Sequence, residues 1–341
     1  MTHKEHLHTP VEPMAISPLL PVSELVERMG GTSFQARNLA RAAQIWEEML
    51  GAEVTIFMGL AGAMVPAGMR SLMVYLIQNR LIDCLVSTGA NLFHDLHETL
   101  GRAHYQGEHL ADDHELFQRH INRIYDVYLP EDQLVQTEDF IIEFSCSLDQ
   151  DRAYTTREYL YLLGKELSPE DKAEGILSAA ARAGVPVFCP ALGDSVFGTA
   201  MAAARLKRGS RLQIDISQDV VEMIDLTTAP PATGIVLIGG GTPKNYIQQA
   251  VLCGDLFDRE SRGHSYAIQI TMDSPHWGGL SGCTFQECHS WGKEASDAQT
   301  VTVYSDATIA LPVLVNTLAE RCAGAIVRRK KARPVKTSAR S

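Results

Sequence analysis

Thr233-Gly-Ile-Val-Leu-Ile-Gly-Gly-Gly-Thr-Pro-Lys-Asn-Tyr-Ile247 reads as a buried strand that turns through three glycines into a helix. The run from Gly234 to Ile238 is short, β-branched and without polar alternation, as a strand covered on both faces should be. Gly239, Gly240 and Gly241 would let the backbone approach a pyrophosphate. A helix starting near Pro243 would offer free N–H groups and the positive end of its dipole. The pattern is not GxGxxG, and a plain tight strand-to-helix connection uses the same residues. A second turn of this kind, Val86-Ser-Thr-Gly-Ala-Asn91, contains Thr88 and Gly89. Two such turns in one chain point to a nucleotide in the crevice at the strand C-termini.

Outward from this segment, similar apolar runs recur at Val54 to Met58, Ile82 to Val86, Val185 to Cys189, Leu212 to Ile216, Ala267 to Thr271 and Val301 to Tyr304. Helical periods separate them, such as Met69 to Gln78, Thr156 to Leu167 and Ala173 to Ala183. Strands alternating with helices predict an α/β fold: a Rossmann-like, doubly wound, mostly parallel sheet with helical N-terminal additions. One NAD-binding catalytic domain over residues 21–325 is expected, between a flexible N-terminus (1–20) and a basic C-terminal tail (326–341). Residues 103–137, polar and rich in His, Asp and Tyr, read as an excursion from the sheet.

The formal charge of -11 conceals an asymmetry. Seven of the 30 basic residues lie between Arg328 and Arg340 with no acid among them, which leaves 23 against 41 acids and a body at -18. An acidic body disfavours nucleic acid and would attract polycations. The basic tail reads as a solvated end. No run approaches the ~20 apolar residues of a membrane helix, and the polar start Met1 to Pro10 has no apolar signal region. Seven scattered cysteines without a CxxC pair favour reduced thiols, so a soluble, cytoplasmic protein without nucleic-acid or membrane partners is expected. His94-Asp-Leu-His97 is not the HExxH pattern, and no metal is predicted. The histidines at 94, 97, 104, 109, 114 and 120 read as a solvated face.

A third segment, Gly278-Gly-Leu-Ser-Gly-Cys-Thr-Phe-Gln-Glu-Cys-His-Ser-Trp-Gly-Lys293, delivers Glu287, Trp291 and Lys293 close together. A lysine near an indole and apolar surroundings can act as an amine nucleophile toward imines or carbonyls. Trp291 could hold a cationic alkylamine against its face, and Glu287 could accept hydrogen bonds from an ammonium. A surface lysine beside a core tryptophan and a solvated glutamate would read the same way.

In order and spacing these segments resemble the deoxyhypusine synthase family. The resemblance starts at Thr32-Ser-Phe-Gln-Ala-Arg-Asn-Leu39 and continues through Val86-Ser-Thr-Gly-Ala90, Ile121-Asn-Arg-Ile124 and Gly184-Val-Pro-Val-Phe-Cys-Pro-Ala-Leu-Gly-Asp194. The triple-glycine segment, Ser290-Trp-Gly-Lys293, Val303-Tyr-Ser-Asp-Ala-Thr308 and Leu311-Pro-Val-Leu-Val315 complete it. It implies a transferase in which NAD oxidises an amine of spermidine and the motif lysine, here Lys293, carries the four-carbon unit as an imine to an acceptor amine. It further implies that Glu287 and Trp291 handle the amine and that Asp194 lies near substrate or cofactor. Thr88, Gly239, Gly240, Ser281 and Asp306 match positions lining the NAD site, and a homotetramer is implied.

The departures cluster at the amine site. The family's Gly-Gly-Gly-Val-Val-Lys-His-His is here followed after Lys244 by Asn245 and Tyr246, so Asn245 takes the place of a histidine at the reaction site. Thr199, Phe93 with His94, and Trp277-Gly-Gly-Leu-Ser-Gly282 stand where the family has carboxylates. Each lost carboxylate removes ~1.5–3 kcal/mol of charge-assisted bonding to an ammonium. The expectation is an aminobutyltransferase with a polyamine donor (spermidine or putrescine) and a small acceptor amine, giving homospermidine. A true deoxyhypusine synthase acting on a translation-factor lysine, and a non-catalytic NAD- or polyamine-binding relative, are the alternatives. An NAD-consuming deacylase, which would release nicotinamide, ranks below them.

Overall fold

The computed structural model describes residues 9–167 and 174–331. Part of the expected N-terminus, the segment 168–173 and most of the expected tail lie outside the described residues. Six strands form one parallel sheet: β1 (Thr55–Leu60), β2 (Cys84–Ser87), β3 (Val187–Phe188), β4 (Thr233–Ile238), β5 (His264–Thr271) and β6 (Glu294–Tyr304). Their order is β6-β5-β4-β1-β2-β3. The chain runs outward from β1 to β3, returns to the centre at β4 and runs outward again to β6. The reversal between β1 and β4 opens a crevice at the strand C-termini, where open α/β sheets take their ligands.

Both faces of the sheet are buried, which accounts for the unbroken apolar runs. Ile56, Met58, Leu60, Val236, Ile238, Ile268 and Ile270 join one core cluster. The alternate residues Phe57, Ile235, Leu237 and Ala267 join the other. Helix α1 (Phe34–Gly51) packs on the first face against β5 and β6, burying Ile45, Trp46 and Met49. Helices α2 (Gly89–Thr99), α3 (Ile216–Thr228), α4 (Gly241–Ala250), α5 (Phe285–His289) and α6 (Ala307–Arg321) follow in the chain. Of these α3 and α4 cover the second face, contributing Met223, Ile224 and Ile247.

Several sequence expectations need correction. The run Leu212 to Ile216 yields only a two-residue strand, Gln213–Ile214, which pairs with Ala153–Tyr154 outside the main sheet. Asp215 explains why: its carboxylate accepts from the Gln218 N–H at 2.9 Å and starts α3 there. Within Val185 to Cys189 only Val187–Phe188 is strand. The region 103–137 carries a separate antiparallel sheet of Tyr105–Gln106, Ile121–Ile124 and Val127–Pro130. Packing of this region over α2 removes part of the supposed solvated histidine face. His97 is buried, and His94 Nδ1 lies 3.0 Å from His104 Nε2. Burial and the neighbouring His104 push His94 down to about 3 and His97 to about 4. The basic tail begins as a docked helix, Ala323–Lys331, whose Arg329 pairs with the Asp83 carboxylate. Among the described residues no single helix is long and apolar enough to cross a membrane.

Candidate active site

Two helix N-termini flank the crevice, one entering α2 from β2 and one entering α4 from β4. Neither helix has a side-chain cap at its first residue or an acid in its first turn. Their dipole ends, the leading N–H groups of α2 and the Thr242 N–H of α4 are therefore left for an anion, an arrangement that fits the diphosphate of a dinucleotide. Thr88 precedes α2, and its N–H donates to the Leu60 carbonyl at 3.2 Å. Asn91, fully buried, ties this turn to the loop after β1: its Nδ2 donates to the Gly62 carbonyl at 2.7 Å and to Thr88 Oγ1 at 3.2 Å. A Cβ on Gly89 would lie 2.3 Å from Ser195 Oγ, so glycine is needed for the turn carrying Asp194 to sit against α2. Asp194 itself is exposed.

The turn after β4 is held by a buried polar floor. Gln269 on β5 donates from Nε2 to the Gly239 carbonyl and to the Ser281 carbonyl, both at 2.8 Å. A Cβ on Gly240 would meet Ser281 Cα at 2.4 Å, so only glycine permits the Ser281 loop to close on this turn. Ser281 Oγ then accepts from the Gly241 N–H at 3.1 Å. Lys244, 1% exposed, donates from Nζ to Gln269 Oε1 at 2.9 Å and to the Cys283 carbonyl at 2.6 Å. Burial lowers its pKa from the usual lysine value. The sequence singled out none of Lys244, Gln248, Gln269 and Glu294 as site residues. A lysine one turn into a helix that follows a glycine turn was the available signal.

Lys293 occupies the seam between α5 and β6. Thr284 starts α5, its Oγ1 accepting from the Glu287 N–H at 3.1 Å. After the helix, the Lys293 N–H donates to the Cys288 carbonyl at 3.2 Å, and its own carbonyl accepts from the His264 N–H at 2.9 Å. The backbone of Lys293 is thus pinned on both sides while its side chain is only half-buried. Nζ lies 3.4 Å from Asn245 Oδ1 on α4 and 6.0 Å from the Trp291 ring. Trp291 is 67% exposed, and Glu287 is exposed beside it. The structure therefore joins Lys293, Asn245 and Trp291, and separately joins Ser281, Gly239 and Gly240. Asp306 stands at the end of β6 with its Oδ1 accepting from the Thr308 N–H at 2.7 Å, which leaves Oδ2 without a partner among the described residues. No contact brings Glu287, Asp194 or Asp306 onto Lys293 within one chain. Among the described residues no group of three or more His, Cys, Asp or Glu side chains has metal-holding geometry.

Residues 24–318 match the family described as deoxyhypusine synthase. A Methanosarcina mazei protein named "Probable deoxyhypusine synthase 2" is 48% identical, with 95% of this chain and 94% of that protein covered. The chain belongs to the deoxyhypusine synthase family. A "Deoxyhypusine synthase-like protein" of Elusimicrobium minutum is 36% identical, over 85% of this chain and 78% of its own. The crystal structure of an Entamoeba histolytica protein assigned as a deoxyhypusine synthase covers 88% of this chain and 93% of that one, with a TM-score of 0.62. At 19% identity that likeness speaks for the fold. Deoxyhypusine synthase family proteins are aminobutyl transferases that use NAD and polyamine substrates and assemble as oligomers.

Proposed function

We propose that this chain is an NAD-dependent aminobutyltransferase that takes a four-carbon unit from a polyamine and passes it, through an imine on Lys293, to a small acceptor amine. The observation that carries the reading is the half-buried Lys293 amine. Its backbone is fixed at both ends, and its Nζ lies between Asn245 Oδ1 and the exposed face of Trp291. A fixed amine beside an exposed indole suits capture of an alkylamine followed by attack on its imine carbon. The first amine leaves as Lys293 forms its imine, and the acceptor amine then displaces Lys293. A bound nicotinamide would take hydride from the donor and return it to the product, so no net redox occurs. The N-termini of α2 and α4, with Thr88, Gly89, Gly239, Gly240, Ser281 and Asp306 around them, are the residues to hold NAD. Asn245 orients the Lys293 amine, and Glu287 and Asp194 supply carboxylates for the donor's ammonium groups.

The carboxylates that Thr199, Phe93 and the Trp277–Gly282 loop leave out favour a rebuilt donor or acceptor site, and homospermidine is the product proposed. Exposure of Trp277 and Trp291 on this rim fits a homotetramer in which a second copy covers it. A protein-lysine acceptor is the second reading, favoured by the names of the Methanosarcina mazei relatives, "Probable deoxyhypusine synthase 1" and "2". Mass spectrometry of the products formed from spermidine and NAD, with and without putrescine, tests the choice. Homospermidine with 1,3-diaminopropane, absent in Lys293→Ala, is the expected result. No new amine, with aminobutyl label on a protein lysine instead, would overturn the small-acceptor reading.

A further inference from the structure

Helix α5 opens with a Thr-x-x-Glu capping pattern, Thr284 to Glu287, in which Thr284 Oγ1 accepts from the Glu287 N–H at 3.1 Å. A start of this kind brings the residue before the cap against the fourth residue of the helix, and both places are usually apolar. Here they hold Cys283 and Cys288, whose Sγ atoms lie 3.5 Å apart. Cys283 is half-buried, whereas Cys288 is fully buried. Among the described residues no other two cysteines share a hydrogen bond. We propose that Cys283 and Cys288 are a reversible modification site: hydrogen peroxide oxidises the pair to a disulfide, and the closed pair withdraws Lys293 from transfer. Formation of the bond is independent of the Lys293 reading above; its effect on transfer rests on that reading.

The half-buried Cys283 sulfur attacks the peroxide, keeps one oxygen as a sulfenic acid and releases the other, with the thiol proton, as water. The Cys288 sulfur then displaces the hydroxyl from Cys283. Its proton leaves with that hydroxyl as a second water, and the S–S bond forms. The dithiol is oxidised and the peroxide reduced. Cys288 does not start the sequence, because burial keeps it from the oxidant and pushes its thiol up to about 12. What the bond does follows from the carbonyls of the same two residues. The Cys288 carbonyl accepts from the Trp291 N–H at 3.1 Å and the Lys293 N–H at 3.2 Å, and the Cys283 carbonyl accepts from Lys244 Nζ at 2.6 Å. Bonded sulfurs stand about 2 Å apart, so closure requires a movement of about 1.5 Å. Gln286, Glu287 and His289 on α5 are exposed, so this short helix yields before the buried sheet does. Trp291 and Lys293 move with it, and the 3.4 Å contact from Lys293 Nζ to Asn245 Oδ1 is lost.

In the test, full-length protein is treated with hydrogen peroxide, its remaining thiols are alkylated, and its peptides are read by mass spectrometry beside the transfer assay. The peptide that carries both cysteines should be found unalkylated and lighter by the hydrogen lost from each thiol. Transfer should fall with it by about tenfold or more, as for a reacting group displaced by about 1 Å. Dithiothreitol should open the bond and restore transfer. Cys283→Ser, compared with its own untreated activity, should lose little under peroxide. Both cysteines alkylated as free thiols in the treated parent, or Cys283 carried on to sulfinic acid without a bond, would overturn the site, and that reading needs no variant to fold. A disulfide that leaves transfer unchanged would overturn its effect on Lys293. If the untreated parent transfers no aminobutyl group, the function proposed above fails, while the mass of the peptide still decides the site.

Discussion

Two lysines, one carried on α4 and one reaching it from the next seam, differ in almost every physical respect. Lys244 is sealed under the glycine turn and donates to two carbonyl oxygens at 2.9 and 2.6 Å. Lys293, held only through its backbone, reaches one amide oxygen at 3.4 Å and borders an exposed indole. A buried ammonium with its bonds made is a structural fastener, and releasing it for chemistry would orphan its acceptors. A half-open amine with one long bond can exchange that bond for substrate at little cost. The contrast assigns stability to one lysine and reaction to the other, and each can be broken separately.

The largest expected effect belongs to Lys293. Lys293→Ala should lower aminobutyl transfer by about three orders of magnitude or more, because among the described residues no other exposed or half-buried lysine stands at the seam to carry the imine. Its thermal unfolding should stay within about 0.5 kcal/mol of the parent, as for other half-exposed side chains. Residual transfer within tenfold of the parent would reverse the assignment of roles. Lys244→Met is the complementary experiment. It leaves the buried Gln269 Oε1 and the half-buried Cys283 carbonyl without this donor, at about 1–3 kcal/mol each, partly offset by removing a desolvated charge. Urea unfolding should therefore show a loss of about 2–4 kcal/mol. Unchanged or increased stability would mean that desolvation dominates and that Lys244 is kept for something other than fastening.

A smaller effect separates the floor from the seam by pH. Glu294 carries a carboxyl raised by burial from 4.5 to about 7. Between those values the native state keeps a proton that the unfolded chain has released, so its contribution to stability is present at low pH and lost as pH rises through 7. Glu294→Gln should remove this slope. Relative to that variant, the parent should lose on the order of 2–3 kcal/mol between pH 4.5 and 7.5, measured by urea unfolding at a series of pH values. Parallel stability curves would show that the carboxyl is as well solvated in the folded chain as in the unfolded one.

The seam was far more legible in the sequence than the floor. Lys293, Trp291 and Glu287 lie within seven residues, and β4 with its glycines is continuous, so local pattern sufficed. Gln248, Gln269 and Glu294 come from three elements, and their pairing exists only once β5, β6 and α4 have packed. Besides Lys244 one turn into its helix, a polar residue inside an apolar strand, as Gln269 is, was a local sign of that network. Long-range pairing also decided the docked helix at Ala323–Lys331, where Arg329 finds Asp83 from across the chain. The histidines misled for the same reason: spacing on α2 cannot reveal that His104, from the following loop, turns inward against His94.

The smallest effect tests what the exposed half of the seam does. If the Trp291 face holds the donor's ammonium chain, Trp291→Ala should raise KM for the polyamine by about tenfold, the ~1–2 kcal/mol of a partly desolvated cation–π contact. The reaction at Lys293 would be spared, so kcat should change by less than about threefold. Trp291→Phe should recover much of the loss, because a smaller ring still presents a π face. Steady-state kinetics on the three proteins separates this from a packing role, in which kcat and thermal stability would fall together and Phe would rescue neither. A KM that stays fixed in Trp291→Ala would leave the indole without a substrate, and would put recognition of the polyamine on the carboxylates of Glu287 and Asp194.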